Sequence, residues 1–239
     1  MLVSTKAVVI SKLKYNDNDL IVKCLTRDFG VKSYLIKNVL RSKTKRQNIA
    51  YFQLFSILAI EADHKEGRAL HYIKEVKRQV NLTTIYEDVI KSSITMFLCE
   101  VLSRTINEEE KDVELYEFIE NKIIQLDKNT KNSIFHLTFL IELTRFLGFY
   151  PNLENSNLNY FNLLEGNFQL TETNAYCVSG ETLTLFKTLL GTNFDVTKFP
   201  NMTLKNKREL LNMILLYFRL HLHGFKEPKS LSVLNQVFS

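Results

Sequence analysis

The spacing of apolar residues changes near residue 80, and this change constrains the fold more than any other feature of the sequence. Before it, apolar residues form short runs rich in β-branched and aromatic side chains, whereas after it they recur about every 3.6 residues. A period of two is typical of strands and a period of 3.6 is typical of amphipathic helices. The sequence therefore predicts an α+β protein, with a β domain over residues 1–80 and an all-α helical domain over residues 81–239.

The first part of the chain contains five strand-like runs, at 6–15, 20–26, 31–37, 52–61 and 70–76. Turn-forming residues at 16–19 and at 26–30 join the first three runs into a meander. A longer connection then precedes the fourth run. Five strands with one long connection predict a small closed barrel such as an OB-fold, and the same strand count is compatible with an SH3-like barrel or an open sheet.

The second part contains four helical patterns and an irregular segment. The patterns cover 90–102, 115–126, 134–147 and 204–222, with a short helix at 230–237 and an irregular, Asn-rich insert at 151–180. The third pattern is apolar on nearly all sides and ends at Gly148, which is typical of a buried helix with a glycine terminator. We therefore expect it to be the central helix of a bundle.

Charge divides at the same place as the periodicity. The whole chain has 31 Lys and Arg and 26 Asp and Glu, a net charge of +5. Residues 1–80 hold 16 basic and 7 acidic side chains, which is +9, and the remainder holds 15 and 19, which is −4. The connection at 38–48 has four cations and no acid. This asymmetry predicts a first domain that binds a polyanion and a second that is better suited to proteins.

Motifs for catalysis and cofactor binding are missing from the sequence. It has no phosphate-binding glycine loop, no dinucleotide fingerprint, no G-x-S-x-G and no H-E-x-x-H. Cys24, Cys99 and Cys177 are far apart, which favours a reducing cytoplasm over a disulfide framework. Charged and polar residues interrupt the apolar runs well before the length of a membrane span. We therefore predict a non-enzymatic cytoplasmic protein without a cofactor.

Two further interpretations remain compatible with these residues. One is a protein-interaction module whose basic barrel binds an acidic protein partner. The other is a hydrolase or nuclease with an unrecognised site. Between these and nucleic-acid binding, the four cations of the long connection favour nucleic acid, because phosphates require cations and exposed rings can stack on bases.

Several short motifs occur in the order and spacing of a known family. They are K-A-V-V-I at 6–10, Y-N-D-N-D at 15–19, L-T-R-D-F-G-V at 25–31, F-L-G-F-Y-P-N at 146–152 and P-K-S-L at 228–231. Over nearly its whole length the chain resembles RecO, the family of bacterial recombination mediators of the RecF pathway.

The resemblance implies an N-terminal OB-fold, a C-terminal helical domain and a nucleoid-associated, non-enzymatic role. It implies binding of single- and double-stranded DNA, strand annealing, contact with the C-terminal tail of single-stranded DNA-binding protein, and cooperation with RecR in loading RecA. The expected DNA-binding residues are Lys12, Lys14, Tyr15, Tyr34, Lys37, Arg41, Lys43, Lys45 and Arg46. Lys131 and Arg145, which flank the central helix, are the expected residues for the tail.

The sequence departs from the resemblance at one place. Many family members hold zinc with four cysteines after the L-G-x-x-P segment, whereas residues 153–166 of this chain contain no cysteine. Only Cys177 lies downstream, so a tetrahedral thiolate site is incomplete. We therefore predict no zinc and an insert held by packing through its apolar residues, which are Leu158, Tyr160, Phe161, Leu163 and Leu164.

Overall fold

The chain forms two compact units in a computed structural model that describes residues 1–39, 49–65, 67–106, 111–130, 133–191 and 202–238. The first unit is Met1–Asn129 and the second is Thr130–Ser239. The first contains a barrel with three helices, and the second contains four helices with a small sheet. The first unit thus extends beyond residue 80, and the functional boundary at that residue stays a prediction.

A closed five-stranded barrel forms the first part of unit one. Its strands are β1 (Leu2–Tyr15), β2 (Asp19–Thr26), β3 (Gly30–Ile36), β4 (Ile57–Asp63) and β5 (Leu70–Arg78). They close in the order β1-β2-β3-β5-β4, with β3 and β5 parallel and the other pairs antiparallel. This closed order confirms the predicted OB-type barrel and excludes an open sheet.

Strand β1 pairs with two neighbouring strands, and its register with β2 shifts in the middle. Its first half pairs with β4 from Leu2 to Val8, and its second half pairs with β2 as far as Tyr15. The shift falls between Val9 and Ser11 and is a bulge, which bends the strand and raises its local twist. Inward residues such as Val9, Val22 and Tyr34 fill the barrel core.

Three helices complete the first unit. They are α1 (Thr84–Glu87), α2 (Val89–Thr105) and α3 (Val113–Lys128). The carboxylates of Asp88 and Asp112 cap α2 and α3 by accepting backbone N–H bonds. Helix α2 lies against β1, where the Cys99 thiol is 3.8 Å from the Val9 carbonyl oxygen.

A buried lysine joins the three helices. Lys91 is 4% exposed, and its ammonium donates to Thr84 Oγ1 at 2.6 Å and to the Asp127 carbonyl oxygen at 2.8 Å. Because a buried ammonium without partners is costly, these bonds explain why a lysine is tolerated in this helix interface. They also fix the ends of α1 and α3 against α2.

The second unit is a small helical bundle. Its helices are α4 (Phe135–Phe146), α5 (Gly180–Gly191), α6 (Leu204–His221) and α7 (Leu231–Val237). Helix α4 packs against both α5 and α6, and most of its side chains are buried. This confirms the prediction of a central apolar helix that ends before Gly148.

The insert at 151–180 is more regular than its composition predicted. It contains β6 (Tyr160–Asn162), β7 (Asn167–Gln169) and β8 (Cys177–Val178), arranged in the order β7-β6-β8. Phe161 and Phe168 face each other on this sheet with ring centroids 4.9 Å apart, and Phe161 also contacts Phe186 of α5. The insert therefore forms short strands whose buried aromatic rings alternate with polar residues. Because polar residues dominate its composition, the sequence predicted an irregular segment.

Across the described ranges, no helix is both long and apolar enough to cross a membrane. The same ranges contain no group of three or more His, Cys, Asp or Glu side chains arranged to hold a metal ion.

Candidate nucleic-acid interface

The end of the β1–β2 hairpin exposes four consecutive side chains of β1. Residues 12–15 are all exposed, because β1 pairs with β4 only as far as Val8 and beyond that point has β2 as its sole neighbour in the described sheet. Lys12 lies opposite Val22, and Lys14 lies opposite Leu20. Val22 and Leu20 face the barrel core, so Lys12 and Lys14 lie on the same face of the sheet, at the rim beyond the core.

Leu13 and Tyr15 occupy the other side of the hairpin. The predicted separation of lysines from apolar side chains is confirmed by this alternation, but the apolar side is not in the core, since Leu13 is 64% exposed and Tyr15 is 42% exposed. Leu13 lies in one row with Ile21 and Leu35 across three strands. The outer surface of β1, β2 and β3 thus carries an apolar row, exposed at Leu13 and half-buried at Ile21 and Leu35, on the opposite side of the sheet from Lys12 and Lys14.

Lys37 follows the last residue of β3 and belongs to the same end of the barrel. One row across the three strands contains Lys14, Leu20 and Ile36. At an interstrand spacing of roughly 5 Å, the Cα atoms of Lys14 and Ile36 are about 10 Å apart. The Lys37 ammonium lies 5.1 Å from the centre of the Tyr72 ring. The structure therefore places Lys12, Lys14, Tyr15 and Lys37 at the same end of the barrel, with Tyr15 on the other side of the hairpin from the two β1 lysines.

Tyr34 differs from the other predicted residues because it is fully buried in the barrel. Its hydroxyl lies 2.9 Å from Nε2 of His64, and burial raises the pKa of the phenol. No face of its ring is open to a base. This burial corrects the expectation that Tyr34 stacks on DNA, and we leave it out of the interface.

The β4–β5 loop supplies cations that sequence reasoning missed. Lys65 and Arg68 are exposed there, and the loop is anchored by the Met1 amino group, which donates to the His64 carbonyl oxygen at 2.7 Å. The rings of His64 and His71 lie 4.5 Å apart, and burial together with nearby positive charge lowers the pKa of His64 to about 4. In OB-folds this loop flanks the face of β2 and β3, a position that becomes evident only when the barrel closes.

Five of the predicted residues lie outside the described ranges. They are Arg41, Lys43, Lys45 and Arg46 of the basic connection, and Lys131. Arg145 is described and exposed in the last turn of α4, where its guanidinium carbon lies 3.8 Å from the centre of the Tyr150 ring. The arginine thus presents its charge on an aromatic support at the surface of the second unit.

A second arginine of that unit borders a groove of mixed polar and apolar lining that the sequence did not indicate. The groove has a volume of about 410 Å³, and Asn212 and the acidic Glu227 contribute to its lining. The rest of the lining is Leu215, Leu216 and Arg219 of α6 and Phe225 after it. Arg219 is exposed. The four residues come together because the chain turns back at Gly224, a tertiary feature that helical periodicity does not predict.

Comparison with known proteins assigns both parts of the chain. Residues 1–79 match the family described as "Recombination protein O N terminal", and residues 86–231 match "Recombination protein O C terminal". The chain is 42% identical to the DNA repair protein RecO of Christiangramia forsetii over 238 residues, and 43% identical to that of Flavobacterium johnsoniae over 239 residues. It is 35% identical to the DNA repair protein RecO of Bacteroides fragilis over 243 residues, and all three alignments cover the whole of both chains. On these grounds, the chain belongs to the RecO family.

Proposed function

We propose that this chain is a DNA repair and recombination protein that binds DNA at the hairpin end of its barrel. The observation that carries the proposal is the exposed set Lys12, Lys14, Tyr15 and Lys37 at the end of a closed OB-type barrel. Curated relatives of the same length are named DNA repair proteins, which supports the biological role.

The proposed mechanism is electrostatic and sequence-independent. The lysines neutralise phosphates, while Tyr15 and the row of Leu13, Ile21 and Leu35 contact unstacked bases of a single strand. Phosphate contacts position a strand without occupying its base edges, so two complementary strands held at this surface remain free to pair. Lowering the repulsion between the strands then accelerates their annealing, and no catalytic residue is required.

We further propose that the second unit binds the acidic, apolar C-terminal tail of single-stranded DNA-binding protein, and that the protein acts with RecR to load RecA on single-stranded DNA coated with that protein. A carboxylate-bearing tail requires a cation beside apolar side chains. Arg145 with Tyr150 meets this requirement, as does Arg219 with Leu216 and Phe225, in a groove that Glu227 also lines.

Salt dependence of DNA binding tests the interface. The variant Lys12→Ala/Lys14→Ala/Lys37→Ala is expected to lower single-stranded DNA affinity and to reduce the slope of log K against log salt by up to about 2, since each lost phosphate contact contributes about 0.7. Lys205→Ala/Lys226→Ala/Lys229→Ala removes the same charge from exposed sites of the second unit and is the control. An unchanged slope in the first variant contradicts the interface.

The basic connection is tested in the same way. Arg41→Ala/Lys43→Ala/Lys45→Ala/Arg46→Ala is expected to lower affinity and to flatten the salt dependence further. If the chain instead binds an acidic peptide and no oligonucleotide, the protein-interaction alternative is correct.

Strand annealing tests the partner assignment. We expect the wild type to anneal complementary strands coated with the cognate single-stranded DNA-binding protein, and to lose most of this activity when that protein lacks its C-terminal tail. Arg145→Ala and Arg219→Ala, measured separately, identify which arginine receives the tail. Equal annealing with and without the tail contradicts this part of the proposal.

A further inference from the structure

A groove of about 720 Å³ lies within the first unit, between α3 and the outer surface of β1, β4 and β5. Its floor contains the row Lys6, Ala59 and Lys77, in which the small Ala59 side chain leaves the centre open. Its wall is the exposed side of α3, including Asn121. The volume is in the range of ligand-binding clefts.

The groove is acidic within a basic barrel. Five carboxylates line it, from Asp28, Glu61, Glu75, Glu117 and Glu120, against three cations, which gives a net charge of −2. Each cation already has a carboxylate partner, since Lys6 pairs with Glu120 at 3.5 Å, Arg27 with Glu117 at 2.9 Å and Lys77 with Glu75 at 4.0 Å. Lys111, outside the lining, pairs with Asp28 at 3.6 Å, which leaves Glu61 as the lining carboxylate without an ion pair among the described residues.

Glu61 is where this excess is concentrated. It lies directly opposite Glu75 on adjacent antiparallel strands, and none of the cations in the described ranges forms an ion pair with it. Two like charges in directly opposite positions of a sheet are destabilising, with side chains starting about 5 Å apart. A cation that enters the groove between Glu61 and Glu75 removes this repulsion.

We propose that this groove docks an extended, arginine-bearing segment of a protein partner. A guanidinium bridges the carboxylates of Glu61 and Glu75, and the Asn121 amide and Ser4 hydroxyl are available to the peptide backbone. Strand β4 in the floor of the groove is paired with β1 on one side and β5 on the other, so recognition there takes place through side chains.

The chemistry of the groove disfavours nucleic acid and divalent metal as its ligands. Nucleic acid is repelled, since its phosphates face an excess of carboxylates. Divalent metal is disfavoured, because no metal-ligating group of three side chains occurs in the ranges that the structure describes. The barrel thus has two surfaces of opposite charge, a basic one for DNA and the acidic groove for a protein partner.

Fluorescence anisotropy with a labelled (Gly-Arg)4 peptide tests the proposal on the full chain, with (Gly-Gln)4 as the neutral probe. Glu61→Gln/Glu75→Gln is expected to weaken (Gly-Arg)4 binding by about tenfold or more, because both charge-assisted bonds to the guanidinium are lost. The side chains are exposed, so the melting temperature should stay the same or rise slightly. Glu87→Gln/Glu114→Gln removes the same charge outside the groove and should bind the peptide like the wild type.

Two results overturn the proposal. One is equal weakening in both double variants, which indicates binding by net charge alone. The other is displacement of the peptide by spermine at equal concentration of positive charge, which makes the groove a polyamine site. DNA affinity measured on the same samples should be unchanged in Glu61→Gln/Glu75→Gln, so a failure of DNA binding in the wild type bears on the proposed function and not on the groove.

Discussion

His221 lies flat against Phe149, with ring centroids 5.2 Å apart and ring planes 5° from parallel. Nε2 of His221 is also 2.9 Å from the Leu163 carbonyl oxygen, and the Tyr217 hydroxyl donates to the Phe149 carbonyl oxygen at 2.8 Å. Helix α6 thus holds both the start of the insert and its first strand by rings and hydrogen bonds. These contacts occupy the part of the fold for which the sequence predicted packing in place of zinc.

Gly166 permits this close contact, and replacing it should disturb the insert. A Cβ at residue 166 would lie 2.7 Å from the Tyr217 hydroxyl oxygen, and the residue has a φ of +67°. Gly166→Ala is therefore expected to lower the free energy of unfolding by about 2 to 4 kcal/mol in urea titrations. Gly180→Ala is the control, because its φ is +66° with open space around it, and it should cost about 1 kcal/mol.

Removing the hydroxyl isolates the overlap at Gly166. In the double variant Gly166→Ala/Tyr217→Phe, the Cβ gains room, so part of the loss should be recovered despite the missing hydrogen bond. If Gly166→Ala costs no more than Gly180→Ala, the close approach is not a determinant of stability.

Metal chelation should leave the second unit unaffected. The insert is held by Phe161, Phe168 and the α6 contacts, and residues 153–166 contain no cysteine. We expect less than one zinc per chain by elemental analysis, and the same unfolding midpoint with and without a chelator, since a structural zinc site would lose its folding energy on chelation. Stoichiometric zinc with a chelator-sensitive midpoint contradicts the prediction.

The buried His136 should make stability depend on pH. Burial, with a smaller contribution from Lys207, lowers the pKa of this imidazole to about 3 from an ordinary value near 6.5. The unfolded chain then binds more protons than the folded chain between these values, so stability is lost as the pH falls. We expect the unfolding free energy to be about 2 kcal/mol lower at pH 5 than at pH 7 from this residue.

The variant His136→Gln provides the comparison for this pH effect. It removes the titrating ring and should flatten the difference between pH 5 and pH 7 by that amount, while the lowered pKa of His64 continues to contribute in both proteins. An identical pH dependence in wild type and variant means that His136 does not titrate as described.

Tyr15 and Tyr34 of the barrel should respond oppositely to substitution. Tyr15→Ala is expected to weaken single-stranded DNA binding by about 1 to 3 kcal/mol, the usual contribution of one stacked ring, with little effect on stability. Tyr34→Phe is expected to keep DNA affinity and to lose about 1 kcal/mol of stability with its bond to His64. Measurement of affinity by anisotropy and stability by urea titration separates the two roles, and loss of affinity in Tyr34→Phe returns that residue to the interface.

The fold class and the location of charge follow from local patterns in the sequence. The alternation in the five runs predicts the barrel strands, and the 3.6 period after residue 80 predicts the central helix. Each element buries one face, and the spacing of its apolar residues shows which face that is. Lys12 and Lys14 were identified in the same way.

Whether a candidate side chain is accessible depends on tertiary contacts. Tyr15 and Tyr34 are both rings in basic strands, yet one is exposed and the other is buried, because β1 extends beyond its pairing with β4 and β3 crosses the closed core. The groove beside Glu61 and the stacking of His221 on Phe149 likewise depend on contacts between residues distant in the chain. Local periodicity contains no information on such contacts, since it describes one element and not the neighbour that covers it.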